Sequence, residues 1–287
     1  MRVLIIGSDS PLGRALAENL EDLGRHELVC LSRSAARWKS ERQAKKMVRR
    51  AAAEVVVDLR MQAIADSGEE MAELDIKRSH WVAKAAQRDK ACHLLVSSAR
   101  VFSGELDRLY NESDVPDSVG EVGILLAGAE ELVQQNCDRY LILRLGRVFA
   151  SDGANLVTRI LGDMVRGEHL VLDNNLRGCP VASADGARVI SALLDQISAG
   201  AQLWGIYHYC SSETATFYEF AESILASASQ FSEFGSEAVE LQPLSPDAHS
   251  LNRSLECSKI RNNFAIKQQP WRRAIADQVK LYFEHQS

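Results

Sequence analysis

The chain has 287 residues, 46% hydrophobic and 25% charged, which supports one large domain, or a domain plus a smaller one, with a core of ordinary size. A formal net charge of −6 argues against general nucleic-acid binding. No apolar run approaches the roughly 18 residues that span a membrane, and the first is too short for a secretory signal.

The first half alternates strand and helix signals. "RVLII" is a short apolar run, and residues 11 to 23 place Leu12, Leu16, Leu20 and Leu23 on one helical face behind Pro11. "ELVCLS" reads as the second strand, residues 35 to 52 as a basic helix, and "EVVVDL" as the third strand. A helix over 70–88, a strand "CHLLVSS", a helix over 121–136 and a strand "YLILRLG" follow. Continuous apolar strands joined by helix-length segments predict a doubly wound parallel α/β sheet with ligands at the carboxyl ends of the strands. The expected division is a Rossmann-type domain over 1–150 and a smaller α/β domain over 151–287, with about 182–205 packing back on the first. In that second part "NLVTRILGDMVRG", "ADGARVISALLDQI" and "TFYEFAESILASA" read as helices, "GIYHYC" as a strand, and 228–254 as polar loop. The six cysteines are scattered with no C-x-x-C pair; they read as reduced thiols of a cytoplasmic protein, and their spacing supports no metal site.

"GSDSPLG" (residues 7–13) lies between the first strand and the first helix. Gly7 suits a tight turn and Gly13 a close helix–strand contact. The helix start at Leu12 offers free N–H groups and a partial positive charge to a pyrophosphate. Ser10 stands where a further glycine is expected. The alternative is a tight turn that holds no ligand. The second strand ends in "LSRS", with no acid for a ribose 2′-hydroxyl; Ser32 and Arg33 suit a 2′-phosphate, favouring NADP(H) over NAD(H). Asp58 and Leu59, at the end of the third strand, complete the expected dinucleotide contacts. The basic run over 33–50 reads as a solvated face; binding of nucleic acid or an acidic partner through it is the weakest of the readings.

Several stretches together carry a family resemblance: "LLVSSARVFSG", "LYNESDVP", "YLILRLGRVFASDGANLVTRIL", "GCPVASADGARVI" and "SLECSKIRNNFAIKQQPWRRAI". In order and spacing they resemble the dTDP-4-dehydrorhamnose reductase family of extended short-chain dehydrogenases/reductases, over nearly the whole chain. The resemblance implies an N-terminal Rossmann domain, a smaller nucleotide-sugar domain, and hydride transfer from NAD(P)H to a ketone. It also implies a Tyr-x-x-x-Lys pair on a helix, where the lysine charge lowers the phenol pKa, helped by a Ser or Thr on the preceding strand.

Ser98 keeps the helper position, but "VGILLAGAEE" puts Val122 at the Tyr position and Leu126 at the Lys position. No tyrosine in the chain is followed four residues later by lysine. Arg100 and Arg147 depart from the family's aromatic residues and, with Asn155, are candidate contacts for a nucleotide-sugar-like or other anionic small molecule. The first expectation is therefore a pseudoenzyme: a non-catalytic or weakly active binding protein whose dinucleotide pocket is either used or empty. It would act through a protein partner, as the methionine adenosyltransferase regulatory subunit, which resembles these reductases, does. The second is a working NADPH-dependent reductase with a relocated acid, for which Tyr110 is the candidate. The family also suggests a homodimer.

Overall fold

The computed structural model describes residues 1–231, 241–243 and 250–285. In chain order the first half runs β1 (Arg2–Ile6), α1 (Pro11–Leu23), β2 (Glu27–Leu31), α2 (Glu41–Ala51), β3 (Val55–Asp58), α3 (Arg60–Ser67), α4 (Glu73–Asp89), β4 (Cys92–Ser98), α5 (Glu121–Asn136) and β5 (Tyr140–Leu145). The second half runs β6 (Val148–Phe149), α6 (Leu156–Val165), β7 (Leu170–Leu172), β8 (Leu176–Arg177), β9 (Val181–Ala182), α7 (Ser183–Ser198) and β10 (Gly205–Tyr209). It ends with α8 (Phe217–Ala228), β11 (Leu241–Pro243), β12 (Leu251–Asn252), α9 (Ser258–Phe264) and α10 (Arg272–Glu284).

Six strands form one parallel sheet in the order β10-β5-β4-β3-β1-β2. The chain leaves β1 for β2 on one side and returns to β3 on the other, so the crevice outside β1 and β3 is a topological switch point. The strands are apolar because helices cover both faces: Val3 to Ile6, Val55 to Val57 and Leu94 to Val96 are almost wholly buried. Helix α1 buries Leu12, Leu16 and Leu20, starts at a Ser10 cap with Pro11 in its first turn, and stops at Gly24, whose φ of 60° is left-handed.

Helix α7 lies against α1, where Ser191 donates to Asn19 at 2.6 Å and Arg25 pairs with Asp195 at 2.5 Å. The strand after it, β10, completes the main sheet next to β5. A second apolar cluster, centred on Phe149, Phe220 and Trp271, joins α6, α8 and α10; Phe149 packs edge-on to Phe220 at 5.3 Å, and Phe220 meets Trp271 at 5.0 Å. Beneath the sheet's far edge, Arg144 of β5 donates to both oxygens of Glu130 on α5. Its Nη1 lies 3.3 Å from His208 Nε2, and all three residues are buried.

The predicted helix over 35–52 is shorter than expected. Residues 33–37 form turns, with the Ala36 N–H bonded to Ser32 O, and the helix begins only at Glu41. Trp38 is 5% exposed and lies under the Arg60 guanidinium, an anchoring a continuous solvated helix would not supply. Parts of the expected 228–254 loop lie outside the described residues. Among the described residues no helix is long and apolar enough to cross a membrane.

Candidate functional site

At the β1–α1 turn, Gly7 has φ +90°, a conformation that favours glycine. A Cβ at Gly13 would lie 2.2 Å from Gly7 O, so this glycine is required by protein packing alone. Ser10 is turned inward at 1% exposure: its hydroxyl donates to Gly7 O at 2.7 Å and accepts from Gly13 N at 3.1 Å. The side chain that stands where a further glycine is expected is thus folded under the turn as a helix cap. The cap changes the donor set. Pro11 has no N–H, Gly13 N is used by Ser10, and Arg14 N donates to Ser10 O at 2.8 Å. Leu12 N is the first-turn amide left for an anion. The Ala150–Asn155 turn packs against this start, with Arg14 paired to Asp152 at 2.6 Å and a Cβ at Gly153 falling 2.9 Å from Pro11.

Arg33 reaches the mouth of the same turn, its Cγ 3.6 Å from a Cβ at Gly7. Its backbone N–H donates to Asp9 at 2.6 Å and its guanidinium to Glu69 at 2.9 Å. Ser32 Oγ sits 3.0 Å from Ser34 Oγ and accepts from Ala35 N. Arg37, exposed, lines the same cavity of about 480 Å³ as Arg33 and Arg60. Asp58 is fully buried and chelated by Arg60, at 2.9 and 2.6 Å. Burial would raise its carboxyl, but the Arg60 charge and the hydrogen bonds to it outweigh burial and hold it well below the ordinary range. Asp58 is thus committed to Arg60, and Leu59 is buried beside Gly7. Ser32, Arg33, Arg37 and the Leu12 amide fit a 2′-phosphorylated dinucleotide, once Arg33 is released by Glu69.

The reacting end is different. Ser98 closes β4 at 3% exposure, and its Oγ accepts from Arg100 N at 3.3 Å. Val122 packs on the main core from α5 and Leu126 is wholly buried in it. Neither can hold or give a proton. Tyr110, the expected substitute acid, does not reach the cleft. It is 1% exposed and stacked on Phe102 at 4.1 Å, and its hydroxyl accepts from Gly104 N at 3.0 Å beside Ser103 Oγ at 3.3 Å. This hydroxyl locks its own loop and is not placed for proton transfer.

Between the sheet and the second apolar cluster lies a cavity of about 70 Å³, space for roughly five waters at 10–15 Å³ each. Phe149, Leu156, Phe217 and Phe220 give it apolar walls, while Arg100, Arg147, Arg177 and Arg253 also line it. Arg177 is paired with Glu219 at 2.8 Å. The other three form no ion pair among the described residues: Arg100 donates to Ala65 O, Arg253 to Ser103 O, and Arg147 lies 4.9 Å over the Phe217 ring. Burial lowers all three guanidinium pKa values, and the charge of Asp66 opposes this at Arg100 and Arg147. Asp66 is itself buried and raised, and one of its oxygens has no hydrogen-bond partner. The structure therefore brings Arg100 and Arg147 together and adds Arg253, which lies in a stretch without periodicity. Asn155 is not among them: it caps α6, accepting from Val157 N at 3.0 Å and Ala150 N at 3.3 Å and donating to Asp152 O at 2.9 Å.

The family model for the RmlD substrate binding domain matches residues 1–283. The chain belongs to this family. It is 27% identical to a dTDP-4-dehydrorhamnose reductase of Aggregatibacter actinomycetemcomitans, covering 99% of both chains. It is also 27% identical to the methionine adenosyltransferase 2 subunit beta of Xenopus laevis, covering 96% of this chain and 86% of that one. Among solved structures, the dTDP-4-dehydrorhamnose reductase of Bacillus anthracis in complex with NADP superposes with a TM-score of 0.80. That match is 20% identical and covers 100% of this chain and 99% of that one. The Clostridium acetobutylicum reductase superposes at 0.81, 18% identical, covering 98% and 99%. These likenesses establish the Rossmann-like α/β fold of the extended short-chain dehydrogenase/reductase type.

Proposed function

We propose that this RmlD-family protein binds NADP(H) and a compact acidic molecule and works as a regulatory or binding protein, acting through a protein partner rather than as a reductase. One observation carries the reading: the two positions that would hold a proton donor and its activating cation are Val122 and Leu126, both packed into the core. Positioned acid–base catalysis is worth about 10²–10⁴-fold, and Ser98 alone has no neighbour to recharge it. The residues that would hold the dinucleotide are Gly7, the Leu12 amide, Ser32 and Arg33. Bound NADPH supplies a hydride, and in this cleft no side chain at position 122 or 126 protonates the alkoxide that a reduced ketone would become.

The small cavity favours a ligand with an anionic group for Arg100, Arg147 and Arg253 and an apolar portion for Phe149 and Phe220. A relative named as the subunit of another enzyme supports a role through a partner. The test is a fluorescence titration with NADPH and NADH, run beside an NADPH-oxidation assay with nucleotide-linked keto sugars. NADPH binding that weakens in Arg33→Ala, with no steady turnover, is the expected result. Turnover at the usual enzyme rates of about 1–10³ per second would overturn the reading.

A further inference from the structure

Three of the six cysteines converge behind the arginine-lined cavity. Cys179, in the turn before β9, lines the cavity itself. Cys210 follows β10 and Cys257 precedes α9; their sulfurs are 3.8 Å apart. Gly146 separates Cys179 from Cys210: a Cβ there would lie 1.8 Å from Cys179 O and 3.2 Å from Cys210 Cβ. The absence of a side chain at 146 thus lets the two cysteine segments close on each other. The Ser254 hydroxyl, wholly buried, has no hydrogen-bond partner among the described residues and lies beside Cys179. All six cysteines are free.

We propose that Cys179 is a thiol-reactive site open to the cavity, oxidised by a small hydroperoxide, with Cys210 as the resolving thiol and Cys257 as a second exchange partner. The cavity admits hydrogen peroxide, which is little larger than water. In the first step the Cys179 sulfur attacks one peroxide oxygen. The O–O bond breaks, the sulfur is oxidised by two electrons to a sulfenic acid, and the other oxygen leaves as water with the thiol proton. In the second step Cys210 attacks that sulfenic sulfur. An S–S bond forms, the S–O bond breaks, and the hydroxyl leaves as water with the Cys210 proton. Cys257 can then attack Cys210, giving a Cys210–Cys257 disulfide and returning Cys179 as a thiol. The last exchange needs the 3.8 Å gap to close to about 2.05 Å.

The electrostatics separate the thiols. Cys210 and Ser254, packed beside it, lower the Cys179 pKa against the opposing effect of burial, and the arginines of the cavity add positive charge around a thiolate. Cys179, Cys257 and burial raise Cys210, so Cys179 is the first to react and Cys210 follows through its proximity. Burial instead pushes Cys92 up to about 12 and raises Cys137. Neither lines the cavity, so these two serve as internal references.

The experiment uses the full chain with exposed Cys30 changed to Ser, treated with one equivalent of hydrogen peroxide and no nucleotide, so its result does not depend on dinucleotide binding. Peptide mapping by mass spectrometry is expected to find Cys210 linked to Cys179 or Cys257, with Cys92 and Cys137 still reduced. Cys179→Ser should slow thiol loss about 10-fold or more. Cys210→Ala should leave a sulfenic acid on Cys179 that dimedone traps. Circular dichroism confirms that each variant is folded, and the parent map stands without any variant at these three positions. Oxidation of Cys92 or Cys137 as fast as Cys179, or an unchanged rate and linkage in Cys179→Ser, would overturn the proposal.

Discussion

The two ends of the cleft have diverged in different ways. At the β1–α1 turn the backbone devices of the family's fold are intact: a glycine at φ +90° and a second glycine that admits no Cβ. At the β4–α5 end the backbone is also intact, but Val122 and Leu126 stand where the family resemblance implies a tyrosine and a lysine. The reason is physical. Gly13 touches Gly7 O and would be required with no ligand present, whereas a catalytic tyrosine contributes to turnover and little to folding. A glycine turn is therefore evidence of fold, and the side chains facing the cleft are the evidence of function.

That contrast can be broken most forcefully at residues that serve only the frame. Glu130→Ala leaves the Arg144 guanidinium buried without its carboxylate, and the expected loss is about 3–5 kcal/mol in urea unfolding. A loss below about 1 kcal/mol would mean that the pair is hydrated. Gly13→Ala should cost about 1–3 kcal/mol by overpacking, with NADPH affinity falling only as far as the folded fraction falls. Lost affinity in a protein of unchanged stability would instead make Gly13 a ligand residue.

His208 gives the frame a pH signature. Its Nε2 faces Arg144 and its Nδ1 lies 3.1 Å from Tyr110 O, so the ring donates from Nδ1 and accepts at Nε2. Burial, and then the Arg144 charge, push its pKa down to about 3, against Tyr110 O and Asp114, which raise it; Lys259 lowers it further. Between that value and the ordinary one near 6.5 the unfolded chain binds a proton that the folded chain does not. Stability is therefore full above about pH 6.5 and falls at up to about 1.4 kcal/mol per pH unit as the pH drops toward 3. His208→Gln should flatten that part of the profile in denaturant titrations; an unchanged slope would place the lost protons elsewhere.

Arg147→Ala tests the other side of the contrast. It removes a guanidinium that has no carboxylate partner among the described residues, so stability should hold or rise slightly while affinity for an acidic ligand falls about 10–100-fold, the value of a charged hydrogen bond or two. Inorganic phosphate or a small carboxylate, followed by calorimetry, reads the difference. A variant that loses stability and keeps its anion affinity would turn Arg147 into a partner for Asp66 alone.

How much of this was legible in the sequence follows the same line. Apolar runs and a 3.6-residue period give the sheet strands and α1, α5 and α7, because burial on both sides of a sheet leaves a strong pattern. Helix α3 leaves none: "RMQAIADS" is short, and its buried members include Arg60, Gln62 and Asp66, held by hydrogen bonds rather than by apolar contact. The Ala-rich basic run after Arg33 looks helical until Trp38 is seen under Arg60. Arg100 and Arg147 could be singled out because they depart from a family pattern at the ends of strands. Arg253 could not, nor could the convergence of Cys179, Cys210 and Cys257, since both depend on distant loops meeting in space. Asn155 and Tyr110 are polar groups next to a site, and only their hydrogen bonds reveal that they are already used.

The smallest expected effect is the most informative about the dinucleotide. Arg33 donates to Glu69 at 2.9 Å, and both side chains are partly exposed. An exposed pair of this kind contributes about 0–1 kcal/mol. If a 2′-phosphate takes Arg33, it must first displace Glu69, so that contribution is subtracted from the binding energy. Glu69→Gln removes the nearer of two competing carboxylates, the other being Asp9 at 3.7 Å, and leaves Arg33 in place. NADPH affinity should then rise up to about 5-fold, with NADH unaffected, and fluorescence titration of the variant beside the parent measures both. A rise for both nucleotides would mean that Glu69 acts as general repulsion across the cleft. No change, beside an Arg33→Ala variant that also binds as the parent does, would mean that the arginine after β2 serves the fold and takes no part in holding the 2′-phosphate.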